Sequence, residues 1–218
     1  MQRLTKKDML IVLSFLAIWF PLIYLREYIN IPLDMWIYIV SIGELILLIP
    51  LIYLYKKNNW TSKTLGFKKF RLRGCFLIFV LLIFSFSINI VYSIILGNFK
   101  INTQIDLRPI IKMLSNYQIF ILVFGGTIIA PFAEELYFRS LIFKTLSVKS
   151  NYIIAAILSS ILFASAHLYI PSFLPIFVLG FMFSYLYKQT KSIWPSIIMH
   201  SANNLIAFIT TIILAKFS

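Results

Sequence analysis

Long apolar runs, separated by short polar segments, dominate the chain and predict membrane-spanning helices. Runs of about 17–25 apolar residues have the length that an α-helix needs to cross the hydrocarbon core of a bilayer. Seven segments approach this pattern: residues 9–25, 35–55, 74–97, 118–146, 152–170, 171–187 and 193–215. We therefore predict an all-α fold, a polytopic membrane helix bundle of about seven transmembrane helices.

The fourth run, residues 118–146, is too long for one straight span. It contains Pro131, which lacks an N–H and interrupts the helical hydrogen-bond pattern, so we predict a kink or a change of depth there. A tight turn around Pro171 separates the fifth run from the sixth. We divide the chain into an N-terminal transmembrane region, residues 1–117, and a C-terminal core, residues 118–213.

Composition and charge support a membrane protein. Hydrophobic residues make up 61% of the chain and charged residues 12%, against roughly 25% charged in soluble domains. A cytoplasmic N-terminus places fifteen of the twenty Lys and Arg residues on the inner side, as the positive-inside rule expects. We therefore assign the net charge of +13 to topology and anionic lipid, with no nucleic-acid partner. The expected location is the cell membrane, multi-pass, with the C-terminus outside.

The segment 56–73 mixes seven basic residues with aromatic and leucine side chains. Such a mixture is typical of an interfacial stretch on the inner leaflet, where cations meet anionic headgroups and aromatic rings enter the interface. We interpret the segment as a contact with anionic inner-leaflet lipid. Binding of a partner protein is the alternative.

Four ionisable groups inside the apolar runs are candidates for a functional site, because a charged side chain there costs about 2.5–3.5 kcal/mol on insertion scales. Two of them are the neighbours Glu134 and Glu135. Glu135 and Arg139 are i,i+4 neighbours on a helix and can form an ion pair, whereas Glu134 points about 100° away. We predict that Arg139 pairs with Glu135 and that Glu134 acts as a general base. A purely structural Glu–Arg network is the alternative.

The other two groups are the only histidines, His167 and His200. Phe163 precedes His167 by one helical turn, and His200 precedes Asn204 by one turn. Each histidine can be a catalyst or an interhelical hydrogen-bonding group, and His200 with Asn204 can stabilise an oxyanion or bridge helices. Small residues that favour close packing predict a central position for the fifth helix: Ala155, Ala156, Ser159, Ser160 and Ala164.

One further acid, Glu44, lies within the second run. It has no cation at i,i+4 spacing. We interpret it as a hydrogen-bonded packing residue, with a place in a hydrophilic entry path as the alternative.

Three motifs occur in order on separate predicted helices: Glu-Glu-x-x-x-Arg at 134–139, Phe-x-x-x-His at 163–167 and His-x-x-x-Asn at 200–204. Together they resemble the CAAX-protease and bacteriocin-processing (CPBP, or Abi) family of intramembrane proteases, in its bacterial form. The resemblance covers roughly residues 118–213, which would form the family's catalytic core, and includes Gly180.

The resemblance implies an intramembrane endopeptidase that hydrolyses a peptide bond in a membrane-associated protein or peptide. Carried over to this chain, it assigns water activation to Glu134 and His167, and oxyanion binding to His200 and Asn204. The supporting residues would be Glu135, Arg139 and Phe163.

Family members are commonly named metalloproteases, so the resemblance also raises a divalent metal, zinc. A catalytic zinc has three protein ligands and one open position, and Glu134, His167 and His200 offer three ligands. The chain has no His-Glu-x-x-His pair, and a glutamate–histidine site can activate water without metal. Both kinds of site stay open.

Two other functions fit some of these features. A non-proteolytic bacteriocin-immunity or scaffold membrane protein can have the same fold. A proton-coupled transporter would also use buried glutamate and histidine, but it predicts related sequence halves, and we find none.

Overall fold

The structure, a computed structural model, describes residues 4–217, and the side chains of all of these except residues 18–28. This part of the chain is all-helical, as predicted, and contains no strand. We number its helices in chain order: α1 (Lys6–Tyr28), α2 (Leu33–Lys57), α3 (Ser62–Leu65), α4 (Leu72–Gly97), α5 (Arg108–Met113), α6 (Asn116–Lys149), α7 (Tyr152–Ser165), α8 (Ile170–Thr190) and α9 (Trp194–Phe217).

Five of these helices are long and apolar enough to cross a membrane, namely α2, α4, α6, α8 and α9. The other two predicted spans correspond to α1, which has 23 residues, and to α7, which has 14. The side chains of the second half of α1 lie outside the described residues. The chain is thus a multi-span helix bundle, although α7 is shorter than its predicted range of 152–170.

Helix α6 is continuous over 34 residues and contains two π-helical segments, Gly125–Ile129 and Leu136–Phe143. Pro131 lies two residues after the end of the first of them. The irregularity predicted at Pro131 therefore takes the form of a wider helical turn before the proline. Such π-helical turns occur frequently at functional sites, and here the two segments flank the pair of glutamates.

The small residues of α7 form a buried face that packs against α6 and α8. Ser159 donates a hydrogen bond to the carbonyl of Phe138 on α6, with an oxygen–oxygen distance of 3.0 Å. The close packing is as predicted, but the central position is wrong. The opposite face of α7 is exposed, because its isoleucine and leucine side chains point away from the bundle: Ile153, Ile154, Ile157, Leu158 and Ile161.

The basic segment between α2 and α4 is bound to the ends of the core helices. The hydroxyl of Ser140 donates to the carbonyl of Leu65, and the backbone N–H of Ile193 donates to the carbonyl of Gly66 at 2.8 Å. Ser192 donates to the carbonyl of Lys68 at 2.5 Å. This segment is therefore a structured part of the bundle rather than a detached amphipathic stretch.

Gly66 ends α3 with a backbone φ of +96°, in the left-handed region that side chains other than glycine rarely adopt. A Cβ atom there would lie 2.6 Å from a ring carbon of Tyr187. We expect Gly66→Ala to lower the free energy of unfolding by about 1–3 kcal/mol, from backbone strain and this overlap. Denaturation of the purified protein in detergent measures the loss.

Gly97→Ala is the matched control, because a Cβ atom at this helical glycine would meet nothing within 4 Å. Alanine favours the helical conformation, so the control should leave stability unchanged or raise it by up to about 1 kcal/mol. Equal losses in the two variants would contradict the role assigned to Gly66.

Candidate active site

The centre of the bundle contains a buried network of three ionisable side chains. Arg139 Nε lies 3.3 Å from Glu135 Oε2, and His200 Nδ1 lies 3.2 Å from Glu135 Oε1. Glu135 and Arg139 are fully buried, and His200 is nearly so. The ion pair predicted from the i,i+4 spacing is therefore present. His200 on α9 joins the pair, and the i,i+4 spacing could not predict this contact.

Arg139 is surrounded by groups that attract a cation. Its guanidinium carbon lies 4.5 Å from the ring centre of Phe163 and 5.1 Å from that of Phe183. Aromatic ring faces attract guanidinium groups electrostatically. Arg139 Nη2 also donates to the carbonyl of Gly180 at 2.9 Å, and a Cβ atom at Gly180 would lie 3.2 Å from this nitrogen. Arg139 thus joins α6 to α7 and α8.

Glu134 faces a different environment from its neighbour. Its Oε2 lies 3.8 Å from His200 Nε2 and has no hydrogen-bond partner among the described residues. The side chain borders a cavity of about 170 Å³, which is large enough to hold water. The cavity is lined by Leu16, Glu44, Leu47, Glu134, Phe138, Ala166 and His167. Glu134 therefore combines an available carboxylate oxygen with space for a reactant.

His167 borders this cavity from a turn and not from a helix, so the sequence expectation was wrong on this point. Helix α7 ends at Ser165, and the backbone tightens into turns, with the N–H of His167 bonded to the carbonyl of Ala164 at 3.2 Å. Leu168 then adopts a left-handed conformation with φ of +50°. Pro171 further disfavours continuation of the helix. His167 is consequently exposed, whereas His200 is buried.

Phe163 contacts both histidines. Its ring centre lies 4.9 Å from that of His167 and 5.7 Å from that of His200. His167 Nδ1 lies 2.9 Å from the carbonyl oxygen of Phe163, which leaves the other ring nitrogen for interactions at the cavity. His200 also stacks on Phe183, with ring centres 4.8 Å apart. The aromatic side chains therefore fix the position of both imidazoles.

Asn204 has a different environment from the one the sequence suggested. In the first π-helical segment of α6, the N–H of Ala130 bonds to the carbonyl of Gly125, five residues earlier. In that register the carbonyl of Gly126 would require the N–H of residue 131, which proline lacks. Asn204 Nδ2 donates to this carbonyl at 2.9 Å. Asn204 thereby supplies the hydrogen bond that Pro131 cannot make.

Glu44, which we interpreted from sequence as a packing residue, lines the cavity. It lies on α2, within a short 3₁₀ turn formed by Glu44–Leu47, and lines the cavity beside Glu134 and His167. The sequence feature that could have indicated a role for Glu44 is the rarity of acidic residues within a membrane span. The cavity favours the alternative interpretation, in which Glu44 belongs to a polar path.

The three side chains considered for zinc do not form a recognisable ligand set. Among the described residues, no group of three His, Cys, Asp or Glu side chains has metal-binding geometry. His200 Nδ1 is already held by Glu135, at 3.2 Å. The arrangement does not fit a zinc centre, and we derive no chemical step through a metal.

The fold and the cluster together define a polytopic helical membrane protein with two glutamates and two histidines gathered inside its bundle. Comparison with known proteins shows which family its core resembles. Residues 116–206 match the family described as "Type II CAAX prenyl endopeptidase Rce1-like". This segment is less than half of the chain, contains all the ionisable site residues except Glu44, and is what makes the chain similar to the CAAX protease family.

Three curated bacterial proteins are similar to this chain. "Putative membrane peptidase YdiL" of Bacillus subtilis is 34% identical over 84 residues, which are 38% of this chain and 34% of YdiL. "Membrane-embedded CAAX protease MroQ" of Staphylococcus aureus is 33% identical over 132 residues, 57% of this chain and 51% of MroQ. "UPF0177 protein YxdF" of Lactococcus lactis is 38% identical over 79 residues, 36% of this chain and 43% of YxdF.

The matched regions span between a third and half of the length of these relatives. No solved structure matches the chain significantly.

The bond between Asn204 and Gly126 predicts an energetic coupling to Pro131. We expect Asn204→Ala to lower the free energy of unfolding by about 1–3 kcal/mol, because the carbonyl of Gly126 loses its donor. In a Pro131→Ala background, the new N–H at position 131 can bond to that carbonyl, so the loss should fall below about 1 kcal/mol. Denaturation of the four proteins in detergent measures this coupling.

Asn203→Ala is the matched control, since among the described residues Asn203 Nδ2 bonds to the side chain of Asn204, at 3.3 Å, and to no backbone carbonyl. This control should behave alike in both backgrounds. An Asn204→Ala loss of the same size with and without Pro131 would show that the two residues are independent.

Proposed function

We propose that this protein is an intramembrane endopeptidase that hydrolyses a peptide bond in a membrane-associated protein or peptide, with Glu134 as the general base. One observation carries the proposal: a carboxylate oxygen of Glu134 that lacks a hydrogen-bond partner in the described structure borders a cavity of water-holding size. The similarity of residues 116–206 to the CAAX protease family supports it. The names of YdiL and MroQ, a membrane peptidase and a CAAX protease, point the same way.

In this proposal Glu134 takes a proton from a water molecule in the cavity, and His167, which lines the same cavity, orients that water. The hydroxide oxygen forms a bond to the scissile carbonyl carbon. When the carbon–nitrogen bond breaks, protonated Glu134 returns its proton to the leaving amine, so that the enzyme regains its starting state. Glu44 lines the same cavity and would help to bind the water.

His200 is assigned to the developing oxyanion. The Glu135 carboxylate pairs with Arg139 and accepts hydrogen bonds only, so His200 Nδ1 carries a hydrogen that points to Glu135. The other nitrogen, Nε2, faces Glu134 at 3.8 Å. In its protonated form His200 can donate from Nε2 to a carbonyl oxygen bound there. Asn204 uses one of its two N–H groups on Gly126, and the proposal assigns the second to the same oxyanion.

The charge distribution supports a cytoplasmic N-terminus and an external C-terminus, because most basic residues then lie on the inner side. The basic ends of α6 and α8 would face the cytoplasm in this orientation. A reporter enzyme that is active only in the cytoplasm, fused after residue 218, should be inactive. An active fusion would reverse the orientation.

Comparison of membrane-protein N-termini in cells that express the wild type or Glu134→Gln tests the proposal. Glutamine keeps the shape of the side chain but cannot accept the proton. At least one new N-terminus should therefore decrease by at least about 100-fold in the variant. Asp34→Asn, which removes an exposed acid at the start of α2, is the matched control and should leave the products unchanged.

One result of this comparison would contradict the proposal, and a separate metal analysis tests its metal-free form. An unchanged set of N-termini in Glu134→Gln cells, with the protein present at wild-type level, would favour the immunity or scaffold function. A stoichiometric zinc ion that leaves the purified protein upon His167→Ala substitution would overturn the metal-free chemistry, although Glu134 would remain the site of the reaction.

A further inference from the structure

A second cavity lies at the other end of α6, away from the glutamates. Its volume is about 200 Å³. Its walls come from the α3 loop, the end of α6 and the end of α8. Five of its lining residues are lysines, and the full lining is Lys63, Gly66, Lys68, Phe143, Lys144, Ser147, Tyr187, Lys188 and Lys191.

These five lysines lack counter-ions within the structure. None of them lies within 4 Å of a carboxylate among the described residues, where the ion pairs involve other cations. Burial, and then the charges of Lys188 and Lys68, lower the pKa of Lys191 below its ordinary value. The cavity therefore concentrates positive charge that no side chain of the described chain neutralises.

The walls of the cavity are held in place before any ligand binds. Lys144 donates to the carbonyl of Thr64, and the ammonium of Lys188 lies 5.5 Å from the ring centre of Tyr152. Lys191 closes α8 in a left-handed conformation, with its N–H bonded to the carbonyl of Tyr187 at 2.9 Å. Two of the five ammonium groups and the backbone around Lys191 are therefore positioned before a ligand binds, which reduces the entropic cost of binding.

The position of the cavity indicates which anion it meets. It lies at the ends of two membrane-spanning helices, α6 and α8, and close to the start of α9. Trp194 begins α9 and packs on Phe67 with ring centres 5.5 Å apart, and tryptophan is enriched at the membrane–water interface. The lysines thus lie at the depth of lipid headgroups, with Phe143 and Tyr187 as an apolar wall.

We propose that this cavity binds the phosphate-bearing headgroup of an anionic phospholipid. Basic pockets between transmembrane helices on the cytoplasmic side are suited to such headgroups. The lysine ammoniums would contact the phosphate, and the acyl chains would leave along the apolar surface of the helices. A bound lipid would link the α3 loop to the ends of α6 and α8. Helix α6 also carries Glu134, so the lipid would stabilise the helix on which the candidate active site lies.

Thermal unfolding of the full chain in lipid nanodiscs tests this proposal without reference to proteolysis, so its failure would leave the proposed function untouched. Phosphatidylglycerol added to phosphatidylcholine should raise the midpoint of the wild type by roughly 5 °C. The triple variant Lys68→Gln, Lys188→Gln and Lys191→Gln should lose most of this rise. These three side chains are exposed and are not needed for the hydrogen bond to Thr64.

The matched control is Lys6→Gln, Lys7→Gln and Lys56→Gln, which removes the same charge from exposed positions outside the cavity. This control should keep the full rise. Equal rises in the two triple variants would show that the lipid acts on net charge alone and would overturn the proposal.

Two further measurements distinguish an anionic lipid from a free phosphate ion and from an acidic peptide. Millimolar inorganic phosphate, added to nanodiscs of pure phosphatidylcholine, should leave the wild-type midpoint unchanged. A rise equal to that with phosphatidylglycerol would identify a free-phosphate site and overturn the lipid assignment. A rise with hexaglutamate that exceeds the lipid effect, and that the cavity variant abolishes, would instead identify an acidic-peptide site.

Discussion

The ion pair between Glu135 and Arg139, fully buried on α6, is the interaction on which the rest of the site depends. A buried pair stabilises a protein only when its remaining polar atoms find partners, because desolvation of two charges is costly. Here that condition is met in part. Glu135 Oε2, Arg139 Nε and Arg139 Nη1 make no hydrogen bond among the described residues. His200 bonds to Glu135 Oε1, Arg139 Nη2 donates to the Gly180 carbonyl, and aromatic rings surround the guanidinium. The pair thereby determines the positions of α7, α8 and α9 around α6, and with them the two histidines.

The neighbouring Glu134 has the opposite character because its helix turns it away from Arg139 and toward a cavity. Residues outside the family segment complete this cavity, since Leu16 comes from α1 and Glu44 from α2. The hydroxyl of Tyr137 on α6 also donates to the carbonyl of Val12 on α1. The N-terminal helices are therefore part of the site. Similarity over residues 116–206 therefore covers the core helices and does not cover the parts of the cavity wall that α1 and α2 contribute.

The all-helical fold and the Glu135–Arg139 pair could be predicted from sequence, because apolar run length and i,i+4 spacing are local properties. The end of α7 at Ser165 could not, since it depends on a turn that leaves the apolar pattern unchanged. The contribution of Glu44 to the cavity depends on how α2 packs against α6, which no local pattern encodes. Likewise, the partner of Asn204 is a backbone carbonyl, and its availability arises from the π-helical turn before a proline.

A double-mutant cycle on the ion pair tests most directly whether it holds the site together. Arg139→Met alone leaves Glu135 as a buried charge and should lower the free energy of unfolding by about 3–5 kcal/mol. Glu135→Gln together with Arg139→Met removes both charges and should cost at least about 1 kcal/mol less than the sum of the two single changes. Denaturation in a mild detergent measures all four proteins. Additive losses would contradict the central place given to this pair.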